Sequence, residues 1–579
     1  MPHKSAAVAA LVASLAVTPG STISTPWTDA RRPAVGVHAM VATEQHDATE
    51  AGVDVLRAGG NAVDAAVAVA YALAVVDPCC GNVGGGGFML VRMHDGRERF
   101  IDFREKAPLS ASRDMFLDAR GNVVPFRSRK GWLAVGVPGT VLGMETARQE
   151  FGTMSRAALM APAIALARDG FTIDPGDVVP FDGSRTEDYT GPYELQKEPN
   201  VRAIFLPGGR FPQPGATFKQ PRLARTLELV SNGGAAAFYD GPIARAIVAA
   251  SDAGGGILTL RDFEGYRVEQ SAPLRCAYRG YEIDSAPPPS SGGATMCEIL
   301  NVVAPYPLAD WGWHSVRSLH YVTEAERRAF ADRNAYLGDP DFVKNPVAQL
   351  LSPAYAAELR EKIAPDRATP STHVRPGLAA VAHENDETTH YSIVDRWGNA
   401  VGVTYTLNDS FGASVIAGDT GFFLNDEMDD FTSKPGAANM YGLVQGQRND
   451  VQPGKRPLSS MAPTIVTRDG KLVMVTGSPG GPRIITIVLE TLLNALVYGM
   501  NVQQAVDAPR THMQWLPDQL QYEPGAFGAA TAGALVSMGY ALREVPQWGS
   551  AQAVVLDPPG GTRYGGTDRR RPAGEALGF

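Results

Sequence analysis

Between residues 47 and 76 the apolar positions recur at helical spacing. The pattern predicts one helix over Asp47–Arg57, stopped by Gly59-Gly60, and a second over Val63–Val76 with Asn61 as its N-cap. The second helix is apolar on every face yet too short to cross a bilayer, so it belongs between layers of the fold. Gly84-Gly85-Gly86-Gly87 then predicts a close backbone approach. The run does not fit a dinucleotide fingerprint, because Met89 stands where the third glycine is needed. Phe88–Met93 and Arg97–Arg104 form a hairpin around an Asp95-Gly96 turn. Residues 109–380 read as mostly helical with long connections, with helical spacing over Ala157–Gly170 and Ser315–Arg333 and no internal repeat.

From Thr388 onward the pattern turns strand-rich. Apolar runs on either side of a polar turn at Gly398 predict paired strands, with Thr388 at the leading edge of the first and Thr404-Tyr405-Thr406-Leu407-Asn408 closing the second. Pro463–Thr467 and Leu472–Thr476 make another hairpin around Arg468-Asp469-Gly470. Gly477–Gly481 follows, then a helix opened by Pro482 and running to about Tyr498. Strands packed together and covered by helices imply a layered α/β domain.

Composition narrows the function classes. A 579-residue chain that is 44% apolar and 20% charged is long enough for more than one core or one large layered domain. A net charge of −9 leaves no footprint for nucleic acid, and Arg31-Arg32 and Arg569-Arg570-Arg571 are too small to change that. Cys79 and Cys80 are neighbours, for which a bridge is unfavourable, so Cys276 and Cys297 are the only plausible pair; buried free thiols are the expected state of the four. No cysteine spacing suggests a metal site. Lys4, the apolar run Ala6–Val17 and the small polar stretch to Thr25 have the layout of a secretory signal, with a core too short to span a membrane.

Thr388 is the first candidate for chemistry. Alone, a Thr-Thr pair at a strand start is an ordinary β-forming choice. If the chain were cut before it, the new α-amino group, with an ordinary pKa of about 8, would act as base for its own hydroxyl. His390 shares the strand face of Thr388, but a structural role is expected for it. Gly480 and Gly481 precede a Pro-opened helix, so their N–H groups suit a developing oxyanion. Gly477-Ser478 is not a serine elbow, because Thr476 replaces the first glycine of that motif.

Eight blocks in order resemble the γ-glutamyltranspeptidase family across roughly residues 36–570. They are Gly59–Ala66, Gly84–Met89, Asp102–Glu105, Pro287–Gly293, the Thr388 segment, Met428–Phe431, Arg456–Met461 and Gly477–Gly481. The resemblance implies a four-layer αββα sandwich of the N-terminal nucleophile hydrolases, cut by itself between Glu387 and Thr388. With residues 1–25 read as signal from their own layout, it implies 26–387 as large subunit and 388–579 as small catalytic subunit, the two packed as one domain. Thr388 is then nucleophile and base, Thr406 its hydrogen-bonding partner, and Gly480 and Gly481 the oxyanion donors. The implied donor pocket has Arg104 for an α-carboxylate, assisted by Ser459 and Ser460. Asp430, Glu427 and Asn408 serve the α-ammonium and are held apart from the cation. Tyr441, within residues 434–446, belongs to a segment that covers the donor in many members.

The expected activity is transfer of a γ-glutamyl group from glutathione or a related amide, through an acyl-enzyme on Thr388, to water, an amino acid or a peptide. No metal or organic cofactor is implied, nor any nucleic-acid partner or membrane span in the mature protein. A periplasmic or secreted location is expected. Two alternatives stay open: a glutaryl or cephalosporin-type acylase on the same scaffold, and a processed but inactive binding protein.

Overall fold

The computed structural model describes residues 32–182, 195–375, 388–434, 446–557 and 561–579. The signal segment, Glu387 and Tyr441 lie outside the described residues. Two seven-stranded sheets, antiparallel at every pairing, carry the fold. One runs in the order Glu575–Gly578, Met40–Thr43, Thr389–Val394, Ala400–Thr406, Gly86–Arg92, Glu98–Asp102 and Glu269–Ser271. The other runs Ala34–Gly36, Arg563–Thr567, Gln552–Leu556, Lys471–Gly477, Thr464–Arg468, Tyr281–Ser285 and Leu274–Tyr278.

Side-chain alternation sorts the residues into layers. On the Thr389–Val394 strand, Tyr391 and Ile393 join the core of the Ala62–Val76 helix, whereas Val394 joins Met40, Leu90, Val475 and Val554 between the sheets. That helix is buried at all fifteen positions, as its all-round apolar pattern predicts, and begins with an Asn61–Asp64 capping box. Tyr391 and Tyr405 donate their hydroxyls to its Ala66 and Ala70 carbonyls, so the strand pair is pinned to the helix layer. Helices Gly292–Val303, Val316–Tyr336 and Arg483–Leu496 form the opposite outer layer, sharing a core with Ile283, Val466 and Met474. The result is helix, sheet, sheet, helix. Each sheet contains strands from both sides of position 388.

The glycine run works as a contact surface. A Cβ on Gly85 or Gly87 would collide with the backbone oxygens of Thr406 or Thr404, so only glycine lets this strand lie against Ala400–Thr406. Residues 109–380 carry the expected helices and also Glu269–Ser271, Leu274–Tyr278 and Tyr281–Ser285, which extend both sheets; runs of three to five residues give little periodic signal. One expectation changes. The cysteines are not free thiols: Cys276 is bonded to Cys297, and Cys79 to Cys80. The second bond lies in the turn leaving the Ala62–Val76 helix, where both side chains are buried beside the Arg571 guanidinium.

Among the described residues no helix is long and apolar enough to cross a membrane.

Candidate active site

Thr388 stands immediately before its strand, buried, with its hydroxyl 3.2 Å from that of Thr406. The pairing of Thr389 with Tyr405 fixes this, because it brings the residues flanking that pair, 388 and 406, to the same face. The Asn408 N–H donates to the Thr406 hydroxyl at 2.8 Å and helps to fix it. Asn408 takes a positive φ of 80°, which turns the chain out of the strand, and its amide donates to the Asp426 carbonyl at 3.1 Å. His390 lies on the same face, fully buried, with its ring nitrogens 2.8 Å from the Thr404 hydroxyl and 3.0 Å from that of Ser392. Burial pushes its pKa down to about 3, so it is uncharged at neutral pH and engaged with hydroxyls, the structural role expected of it.

A cavity opens beside Thr388. Its walls include Thr406, Asn408, Arg104, Glu427, Asp430, Ser459, Ser460 and Gly481, so the structure gathers eight more of the expected residues at one place. Arg104 follows the Glu98–Asp102 strand, and Glu427–Asp430 is a short 3-10 turn. Arg104 forms ion pairs with both Glu427 and Asp430. This corrects the expectation that cation and acceptors are held apart. Arg104 and Glu427 are almost wholly buried, and charges removed from water pair with each other.

Burial alone would lower the Arg104 pKa, but Glu427 first, then Asp430 and Glu105, raise it above the ordinary arginine value. Burial raises the carboxyl pKa of Glu427 and Asp430 and pushes Glu105 up to about 7, with Arg104 pulling each the other way. Crowding of these carboxyl groups opposes their full ionisation, and Arg104 favours it. The paired side chains narrow the cavity to about 20 Å³, room for water. A charged ligand bound beside Arg104 would exchange partners with these ion pairs.

Ser459 and Ser460 form the opposite wall. The block Pro287–Gly293 holds them: the Ser291 N–H and hydroxyl donate to the Ser459 carbonyl at 2.7 and 2.6 Å, and the Ser290 hydroxyl to that of Met461 at 2.6 Å. Arg104 anchors the preceding residues, donating to the Pro457 and Leu458 carbonyls at 3.3 and 3.4 Å.

Gly481 lines the cavity with Pro482 at the start of the Arg483–Leu496 helix, and Gly480 is not among the lining residues. Both glycines have positive φ, 137° and 49°, and a Cβ on Gly480 would meet Ile487 at 2.8 Å. Arg333 was missed by the sequence reading, which took it only as the end of a helix. It enters the cavity wall from the Val316–Tyr336 helix. Polar residues occupy every face of that helix, so periodicity carries no signal for it.

The family model described as gamma-glutamyltranspeptidase matches residues 48–578. The glutathione hydrolase proenzyme of Pseudomonas sp. (strain A14) is 53% identical over 550 residues, spanning 93% of this chain and 94% of its own. That of Escherichia coli (strain K12) is 46% identical over 544 residues, with 94% and 92% covered. Of solved structures, the cephalosporin acylase from Bacillus halodurans superposes with a TM-score of 0.81 at 28% identity, over 98% of this chain and 99% of that one. With the family match running through both sheets and every wall of the cavity, the chain belongs to the γ-glutamyltranspeptidase family.

Proposed function

We propose that this protein is a glutathione hydrolase and γ-glutamyltransferase whose nucleophile is Thr388, freed by cleavage of the Glu387–Thr388 bond. The observation that carries the reading is the meeting of a strand-leading threonine with the Arg104, Glu427 and Asp430 cluster in one cavity. In this reading the Thr388 amine takes the proton from its own hydroxyl, and Thr406 keeps that hydroxyl oriented. The oxygen attacks the γ-carbonyl, and the leaving amine receives the proton. The γ-glutamyl ester is then passed to water or to an amino acid or peptide amine. The donor's α-carboxylate exchanges onto Arg104 as its α-ammonium is taken by Asp430, Glu427 and Asn408, which replaces one set of buried ion pairs by another. Residues 26–387 and 388–579 would remain interlocked as large and small subunits, a reading supported by each sheet containing strands of both.

Turnover of a chromogenic γ-glutamyl anilide tests the activity directly, and its absence in cleaved protein would favour an inactive binding role. The likeness to a cephalosporin acylase favours one second reading, a glutaryl acylase on the same scaffold. Asp430 in the cavity speaks against it, since a glutaryl chain has no ammonium to pair with it.

Gly481 is the oxyanion donor best supported by position, at the helix start and in the cavity wall. Gly481→Ala, which displaces the N–H at a positive φ, is expected to lower kcat by an amount corresponding to about 2.7–4 kcal/mol with little change in KM. Normal kcat with only a raised KM would contradict the role. Lys4 and Ala6–Val17 support export to the periplasm or beyond. Deleting residues 2–25 is expected to retain active protein in the cytoplasm, and recovery of the full chain only from cytosol with Met1 intact would overturn export.

A further inference from the structure

Arg333 has no part in the chemistry described above, yet its guanidinium reaches the Ser459-Ser460 wall along two routes. One N–H donates to the Ser460 hydroxyl at 2.8 Å, and Ser460 faces the cavity. Nε donates to the Ser291 hydroxyl at 2.8 Å, and that hydroxyl donates in turn to the Ser459 carbonyl at 2.6 Å. The third nitrogen donates to the Asn334 side-chain oxygen at 2.8 Å, so each arm of the fork has a fixed direction. Arg333 and Ser291 are almost wholly buried.

The relay has a chemical consequence. A hydroxyl that accepts from a cation has its own proton directed away from that cation and becomes a stronger donor. Through Ser291 this proton goes to the Ser459 backbone. Through Ser460 it is available on the cavity side. Arg104 and Arg333 thus hold the 457–460 segment from two sides, one through backbone carbonyls and the other through hydroxyls.

We propose that Arg333 is a positioning residue for substrate specificity: it sets the Ser460 hydroxyl to donate to the α-carboxylate of the γ-glutamyl group and brings a second positive charge to that end of the pocket. The inference rests on the γ-glutamyl reading given above. Arg104 binds the carboxylate as a fork, and Arg333 acts on the same group through Ser460, so removing Arg333 costs recognition of the carboxylate and leaves the acyl-transfer step intact.

The test compares a γ-glutamyl anilide with a 4-aminobutyryl anilide, which keeps the ammonium and the reacting carbonyl but lacks the carboxylate. Arg333→Lys keeps the charge and loses the fork. It is expected to lower the ratio of kcat/KM values, γ-glutamyl over 4-aminobutyryl, roughly tenfold, mainly through KM. Ser291→Ala removes one anchor of the guanidinium and is expected to lower the same ratio by about threefold. A purely structural arginine would depress both donors equally, so an unchanged ratio in either variant overturns the proposal. If Arg333→Lys does not fold, Ser291→Ala decides alone. Failure of the γ-glutamyl reading would show separately, in the wild type, as preference for a glutaryl anilide. Glutaryl against butyryl anilide then makes the same comparison with and without the carboxylate.

Discussion

Thr388→Ala is expected to leave the protein as a single uncut chain with turnover reduced by at least about four orders of magnitude. Losses of that size follow removal of a nucleophile from other acyl-transfer enzymes. The proposed mechanism gives Thr388 three tasks. Its hydroxyl attacks the Glu387 carbonyl to cut the chain, its new amine serves as base, and the same hydroxyl carries the γ-glutamyl group. Alanine retains only the amine, and that amine is never released. The fold should tolerate the change, because the Thr389–Val394 strand is held by its neighbours on both sides and by Tyr391 to the Ala66 carbonyl. Thr388→Ser, which restores a hydroxyl, should recover both cleavage and turnover in part. Substantial γ-glutamyl turnover by Thr388→Ala would move the nucleophile elsewhere. Among nearby groups His390 is a poor substitute, since burial keeps it neutral and bound to Thr404 and Ser392.

The second large effect is expected at Asp430. Asp430→Asn should lower kcat/KM for a γ-glutamyl anilide by roughly a hundredfold, since a charged group loses its partner in a desolvated site. A glutaryl anilide, with the same chain length and terminal carboxylate but no ammonium, should lose far less. Asparagine no longer competes for Arg104, which frees that guanidinium for the substrate carboxylate. Arg104→Lys should weaken both donors, because lysine cannot grip a carboxylate with two parallel N–H groups. Its stability should fall as well, since Arg104 also holds the Pro457 and Leu458 carbonyls and neutralises Glu427. Equal losses for both donors in Asp430→Asn, or a wild type that already prefers the glutaryl compound, would replace the transpeptidase reading with that of an acylase.

Much of this architecture was legible in the chain because it is local. The all-apolar run Ala62–Val76 announces a helix covered on every side, and the glycines at 84–87 announce a backbone contact, found against Thr404 and Thr406. Alternation after Thr388 places His390 and Thr388 on one face from the sequence alone. What periodicity cannot carry is contact at long range. Arg104 and Asp430 are 326 positions apart, and nothing in either neighbourhood tells that they form an ion pair instead of waiting separately for a ligand. Arg333 is hidden for a related reason, since its partners Ser291 and Ser460 come from segments on either side of it in sequence. The Cys79–Cys80 bond was missed because a general preference against bridging neighbours was applied to a turn whose conformation the sequence does not specify.

The central claim is that Thr388 becomes an N-terminal residue and then carries the substrate. The most direct measurement is mass spectrometry of active wild-type protein quenched during turnover of a γ-glutamyl anilide. The account predicts two polypeptides meeting at Glu387 and Thr388, with the smaller one heavier by a single γ-glutamyl group located on Thr388. Full activity from a preparation whose Glu387–Thr388 bond is intact, or a γ-glutamyl group carried on any other residue, would contradict it.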